Sequence, residues 1–172
     1  MSNSKIFINE LFTILWLCLF QVIILNQIDF LGYINPYFYV VYVIGYGLDK
    51  NKTLLLFMSF ILGWIIDCFM NTSGMHAFSI TLIAYLRLPI FRWVAGAGTS
   101  NLEKSNLFLY DLIFLKKLSY IFLLVFIHHS SLYLLDEIHI IDIPSFFIRV
   151  LNGTIFTSFL SLIYFFLKNR KF

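Results

Sequence analysis

The sequence predicts an all-α integral membrane protein: a bundle of six transmembrane helices with both ends in the cytoplasm, short outer loops, and an interfacial helix before the fifth span. Composition is the first observation behind this. Of the 172 residues, 60% are hydrophobic and only 12% are charged, where soluble domains run near half apolar and a quarter charged. The mean hydropathy is +0.88. The second observation is a series of apolar runs separated by polar corners. The third is the placement of basic residues, of which 11 of 12 fall on one side once each run is counted as a span.

A helix needs about 20 apolar residues to cross a bilayer. The first run, 6–25, fits, and because it lacks a small-x-small cleavage site it reads as a retained span rather than a removed signal. After the loop "NQIDFLGYIN", Pro36 opens a second run over 36–48, with proline where a first-turn residue loses no hydrogen bond. This run is too short for an upright crossing. It must be extended by its flanks, thin the bilayer, or pack inside the bundle. "LDKNK" precedes a third run over 53–70, and "NTSG" makes a tight corner before a fourth over 75–93. The long connection "AGAGTSNLEKSNLFLYDLIFLKK" mixes apolar residues with Asp111, Lys116 and Lys117 in its second half, the pattern of a helix lying in the interface. A fifth run covers 118–135 and a sixth 144–167, so residues 1–172 form one membrane domain.

The outer loops of this arrangement, "NQIDFLGYIN", "NTSG" and "DEIHIID", contain no Lys or Arg. That asymmetry is what the positive-inside rule expects for six spans with both ends inside, and a five-span count would leave "KNRK" outside. The one basic residue outside the pattern is Arg149, about a turn into the sixth span.

Ionisable residues within spans are costly and usually face protein or a wet cavity. Asp67 lies one turn before the "NTSG" corner, with Gly63 four residues earlier and Asn71 four later on one helical face. Glycine at such a place lets a neighbouring helix approach. His76 opens the fourth span at similar depth, so a polar cluster is expected in which Asp67 meets His76 and, from the sixth span, Arg149. Arg87, beside Pro89, reads as the inner end of the fourth span with its side chain reaching the headgroups. His128 and His129 form a second polar pair. As adjacent helical residues they point about 100° apart and cannot share one metal well, so helix-to-helix hydrogen bonding is expected there. A metal would need His139, Asp136 or Glu137 as well, and no metal site is assigned. Cys18 and Cys68 read as small buried hydrophobes rather than a disulfide.

No HExxH, GxSxG or glycine-rich phosphate loop is present, so no enzyme activity and no cofactor are expected. Nor is there a basic, aromatic-interleaved segment of the kind that binds nucleic acid.

The stretch Gly63, Asp67, "NTSGMHA" with Gly74, His76 and Ala77, then "YLRLPIFR", resembles the bacterial rod shape-determining MreD family, as does "INPYFYVVYVIGY" opening at Pro36. The motif covers residues 36–92, while length and span count agree across the chain. The resemblance implies a non-catalytic protein of the bacterial inner (cytoplasmic) membrane, placed in the cell-elongation machinery that organises lateral peptidoglycan synthesis. Its implied partners are an MreC-like single-span protein, MreB filaments, and the RodA synthase with its penicillin-binding partner. Gly63, Asp67, Asn71, Gly74, His76, Arg87 and Arg149 form the expected structural or partner-binding cluster, with His128 and His129 secondary. The family is similar in fold to the six-helix S components of ECF vitamin transporters, which supplies the rival reading of a small-molecule binder with an outer cavity.

Overall fold

The computed structural model describes residues 3–27, 35–96, 108–136 and 142–169. Every regular element among them is helical. Helix α1 (Asn3–Ile23) runs into a 3-10 turn (Leu25–Gln27), and a second 3-10 turn (Phe38–Val40) leads into α2 (Val41–Gly45). Then come α3 (Lys52–Met70), α4 (Met75–Ala95), α5 (Phe108–Asp111), α6 (Phe114–Asp136) and α7 (Ile143–Asn169).

Among the described residues five helices are long and apolar enough to cross a membrane, the pattern of a multi-pass membrane protein. These five are the first and the third to sixth of the expected spans. The second run, 36–48, does not form a span-length helix; it is a 3-10 turn joined to a helix of 5 residues. Of the three ways to accommodate so short a run, packing inside the bundle is the one observed. Tyr37 through Ile44 are consecutively buried, which explains why the run shows no polar face: it lies among the long helices. It descends from the level of Gln21 to that of Glu10, roughly 16 Å at 1.5 Å per helical residue. That is about half the hydrocarbon thickness.

An element this short cannot satisfy its own backbone within a bilayer, so side chains of the long helices must. At its start the Gln21 side chain donates to Pro36 O at 2.9 Å and accepts from Phe38 N–H at 2.9 Å, while Thr157 Oγ1 accepts from Tyr37 N–H at 3.2 Å. At its end the Arg87 guanidinium donates to Val43 O at 3.1 Å and to Tyr46 O. The two ends are thus tied to α1, α7 and α4.

Around this core, α3 packs on α4, α4 on α6, and α6 on α7, with α1 against α3. Outward-facing positions carry large apolar side chains such as Phe12, Trp64 and Trp93, the last 76% exposed, as a lipid-facing surface requires. Cys68 is on this exposed surface, contrary to expectation, while Cys18 is buried. α6 starts earlier than the fifth run did, because Lys116 fits into its first turn by donating to Ala95 O at 2.6 Å. Of the expected interfacial helix, only α5 falls among the described residues, with Leu109 buried; its preceding part lies outside them. Asp29, Lys104, Glu137, His139, Arg170 and Lys171 also lie outside the described residues.

A candidate functional site at the α3–α4 corner

The corner begins where α3 ends. Asn71 takes a left-handed conformation (φ 56°) and its N–H bonds back to Asp67 O, which stops the helix. Gly74 follows with φ 89° and occupies the cap position of α4. A glycine has no side chain to satisfy the first amides of the new helix, which an Asp, Ser or Asn cap would do. Asp67 performs that task from the neighbouring helix. Its Oδ1 accepts from His76 N–H at 3.0 Å and from the Thr72 hydroxyl at 2.6 Å, and its Oδ2 accepts from Ala77 N–H at 2.8 Å. The carboxylate is 5% exposed. A negative charge at a helix N-terminus also meets the positive end of the helix dipole.

Gly63 makes this reach possible. A Cβ on it would fall 2.6 Å from Ala77 N and 2.7 Å from the His76 carbonyl carbon. Any side chain there would hold the helices apart and carry Asp67 out of range of the α4 amides. Gly63, Asp67, Gly74, His76 and Ala77 are therefore one joint. Two expectations change in detail. Asp67 meets the backbone of His76, not its ring. Asn71, expected to continue the helical face of Gly63 and Asp67, instead leaves the helix to cap it.

The His76 ring turns inward. Its Nδ1 lies 2.7 Å from the Tyr39 hydroxyl, whose other neighbour is His128 Nε2 at 2.9 Å. Three helical elements meet at this one oxygen. A hydroxyl has one proton to donate, so one of the two imidazoles must donate to it. His128 Nδ1 is buried without a partner, and an orphaned N–H there is costlier than an orphaned lone pair on a weak acceptor. His128 is accordingly assigned as the Nε2–H tautomer, donating to Tyr39, which donates in turn to His76 Nδ1. His129 takes the other tautomer. Its Nδ1 donates to Val125 O at 2.9 Å, and its Nε2 lies 3.4 Å from the Thr157 hydroxyl. The two adjacent histidines therefore serve different helices. Gly153 gives the His129 ring its place, since a Cβ there would sit 2.6 Å from the ring.

Tyr39→Phe is expected to cost about 1–3 kcal/mol in detergent by leaving two buried imidazole nitrogens unpaired. Nitrogen NMR of wild-type His128 should show the proton on Nε2, and a proton on Nδ1 would refute the assignment.

Beside the joint lies a cavity of about 290 Å³ whose lining includes Tyr37, Thr72, His76, Tyr133, Asp136 and Arg149. Arg149 thereby lines the same cavity as Thr72 and His76, whose hydroxyl and backbone N–H respectively bond Asp67. Arg87 is not part of this cluster. It lies three turns further along α4, is 4% exposed, and holds the end of α2 rather than reaching headgroups. No group of three His, Cys, Asp or Glu residues that could hold a metal ion occurs among the described residues. Sequence reasoning missed Gln21, Tyr39 and Thr157. The signal for Gln21 was visible, a lone amide in an apolar span, whereas Tyr39 was one aromatic among many.

The architecture and this corner define a multi-pass helical membrane protein whose intramembrane polar groups mainly join one helix to another. Comparison with protein-family models, curated proteins and solved structures finds no match to this chain.

Proposed function

We propose that this chain is a non-catalytic component of the bacterial cell-elongation machinery, of the MreD kind. In this reading it resides in the cytoplasmic membrane with both ends inside. The buried second segment returns the chain to the inner side, as a sixth pass of partial depth, and an interfacial helix precedes α6. It binds an MreC-like single-span protein and through it helps organise lateral peptidoglycan synthesis alongside MreB filaments and the RodA synthase with its penicillin-binding partner. The observation that carries the reading is the α3–α4 joint. The residues on which the resemblance rests, Gly63, Asp67, Gly74, His76 and Ala77, interlock at one corner, which gives their spacing a physical reason. Six described basic residues support the orientation: Lys50, Lys52, Arg92, Lys116, Lys117 and Lys168 lie at the helix ends opposite that corner, while Arg149 lies beside it.

The test is retention of a tagged MreC-like protein by this chain after detergent extraction, with cell width measured in a rod-shaped host. Asp67→Ala is expected to lower retention or the protein's level. Wild-type level, retention and cell width together in that variant would refute the proposal. One observation favours a second reading, a small-molecule binder of the S-component type: the cavity beside Tyr37, His76 and Arg149. A small molecule retained through purification, seen by mass spectrometry, would favour it.

A further inference from the structure

The short second segment has a consequence at the opposite end of the bundle. α1 and α7 both contact the 3-10 turn Phe38–Val40 that leads into α2, but do not pack broadly on each other. Because α2 is only five residues long, a groove of about 430 Å³ remains between them, within the range of small-ligand sites. Its walls are unlike those of another large surface groove, between α3 and α4, where the lining is almost wholly apolar. Here one end is charged and the other is not. Lys50 and Lys168 line it, as do Phe12, Trp16 and Phe165. Lys50 Nζ lies 3.2 Å from Glu10 Oε1, and an ammonium has three N–H donors, so this pair does not exhaust it. Lys168 stands at the last turn of α7 and is exposed, and in the sequence Arg170 and Lys171 follow after Asn169.

We propose that this groove is a binding site for an anionic phospholipid of the leaflet at the Glu10 end. The phosphate lies at Lys50 and Lys168, and one acyl chain lies in the groove along Phe12, Trp16 and Phe165. Both the location and the chemistry argue for this occupant. A groove that opens sideways between two lipid-facing helices is filled from the bilayer. The cationic excess at its mouth selects a negative headgroup, since lysines near a membrane surface attract anionic lipid. The polar-to-apolar gradient matches an amphiphile rather than a wholly apolar partner helix. This site is independent of the function proposed above.

Trp16 reports on it directly. The chain has three tryptophans, and Trp64 and Trp93 are exposed, so Trp64→Phe with Trp93→Phe leaves Trp16 as the only indole. In phosphatidylcholine vesicles, a minor fraction of brominated phosphatidylglycerol should quench Trp16 more strongly than the same fraction of brominated phosphatidylcholine. Lys168→Gln, an exposed substitution, should cut the preference about fivefold, the contribution of one lysine near a membrane surface. Lys50→Gln should cut it about as much again, whereas Glu10→Gln, which removes the opposing carboxylate, should not lower it. Equal quenching by the two lipids, or a preference unchanged in both lysine variants, would overturn the proposal. A photo-crosslinker at Thr13, which also lines the groove, should give a lipid adduct. An adduct to another protein, or to a second copy of this chain, would overturn it too.

Discussion

Arg87→Ala is expected to be the most damaging single substitution in the bundle, costing about 3–5 kcal/mol, since each hydrogen bond to a charged group is worth about 1.5–3 kcal/mol. The side chain is almost wholly buried and donates to two carbonyls, Val43 O and Tyr46 O, that close the short α2. A helix of five residues has no stability of its own. Without the guanidinium its last carbonyls would be unpaired at a depth where water does not replace them. The loss should appear as a drop of roughly 6–20 °C in the unfolding midpoint in detergent, at about 2–4 °C per kcal/mol for a chain of this size. It should also appear as faster amide exchange across 38–46. Arg87→Lys should recover only part of this, because an ammonium lacks the planar fork that spans two acceptors. A midpoint and exchange pattern unchanged in Arg87→Ala would show that α2 is held by packing alone.

Asp67→Ala is expected to cost about 2–3 kcal/mol. The variant loses three hydrogen bonds, two of them from buried amides at the start of α4, and loss of a helix cap alone is worth about 0.5–2 kcal/mol. Asp67→Asn separates charge from geometry. Its oxygen still serves one side of the joint, but its amide nitrogen cannot accept from the amide on the other, so an intermediate loss is expected. Thr72→Ala should remove only the hydroxyl contact and cost about 1 kcal/mol. Thermal unfolding of the three variants under one detergent condition gives the ranking. An Asp67→Asn protein as unstable as Asp67→Ala would mean that the negative charge at the helix dipole dominates the hydrogen bonds. Because the acid is part of the fold, the partner-retention test must be normalised to the amount of folded protein.

The Gly63–Asp67 spacing and the "NTSG" corner were legible in the sequence because both obey local rules: side chains four apart share a helical face, and a polar, glycine-containing tetrapeptide breaks a helix. What the acid bonds to was legible only to the level of the next helix. Choosing the His76 and Ala77 amides over the His76 ring requires the approach distance that Gly63 sets, and no sequence pattern encodes that distance. Arg87 shows the opposite failure. A basic residue near a span's end normally reaches for headgroups, and nothing nearby in the sequence indicates that the carbonyls of Val43 and Tyr46, some forty residues earlier, lie beside it. Tyr39 was hidden for a related reason, since a hydroxyl shared by two imidazoles looks like any other aromatic until three elements are placed together.

By itself the sequence determined the solvent of this protein, its helical class, and the end of the bundle at which most of its basic residues gather. Those properties are sums over residues, and sums survive ignorance of where each residue goes. Only the tertiary structure decided that the second apolar run is a buried half-length segment, that it is tied at its two ends by Gln21, Thr157 and Arg87, and that its shortness leaves a groove between α1 and α7. Each of these depends on which backbone groups remain unpaired once the long helices have packed. That is a property of distant residues brought within 3 Å or so of one another, the range of a hydrogen bond.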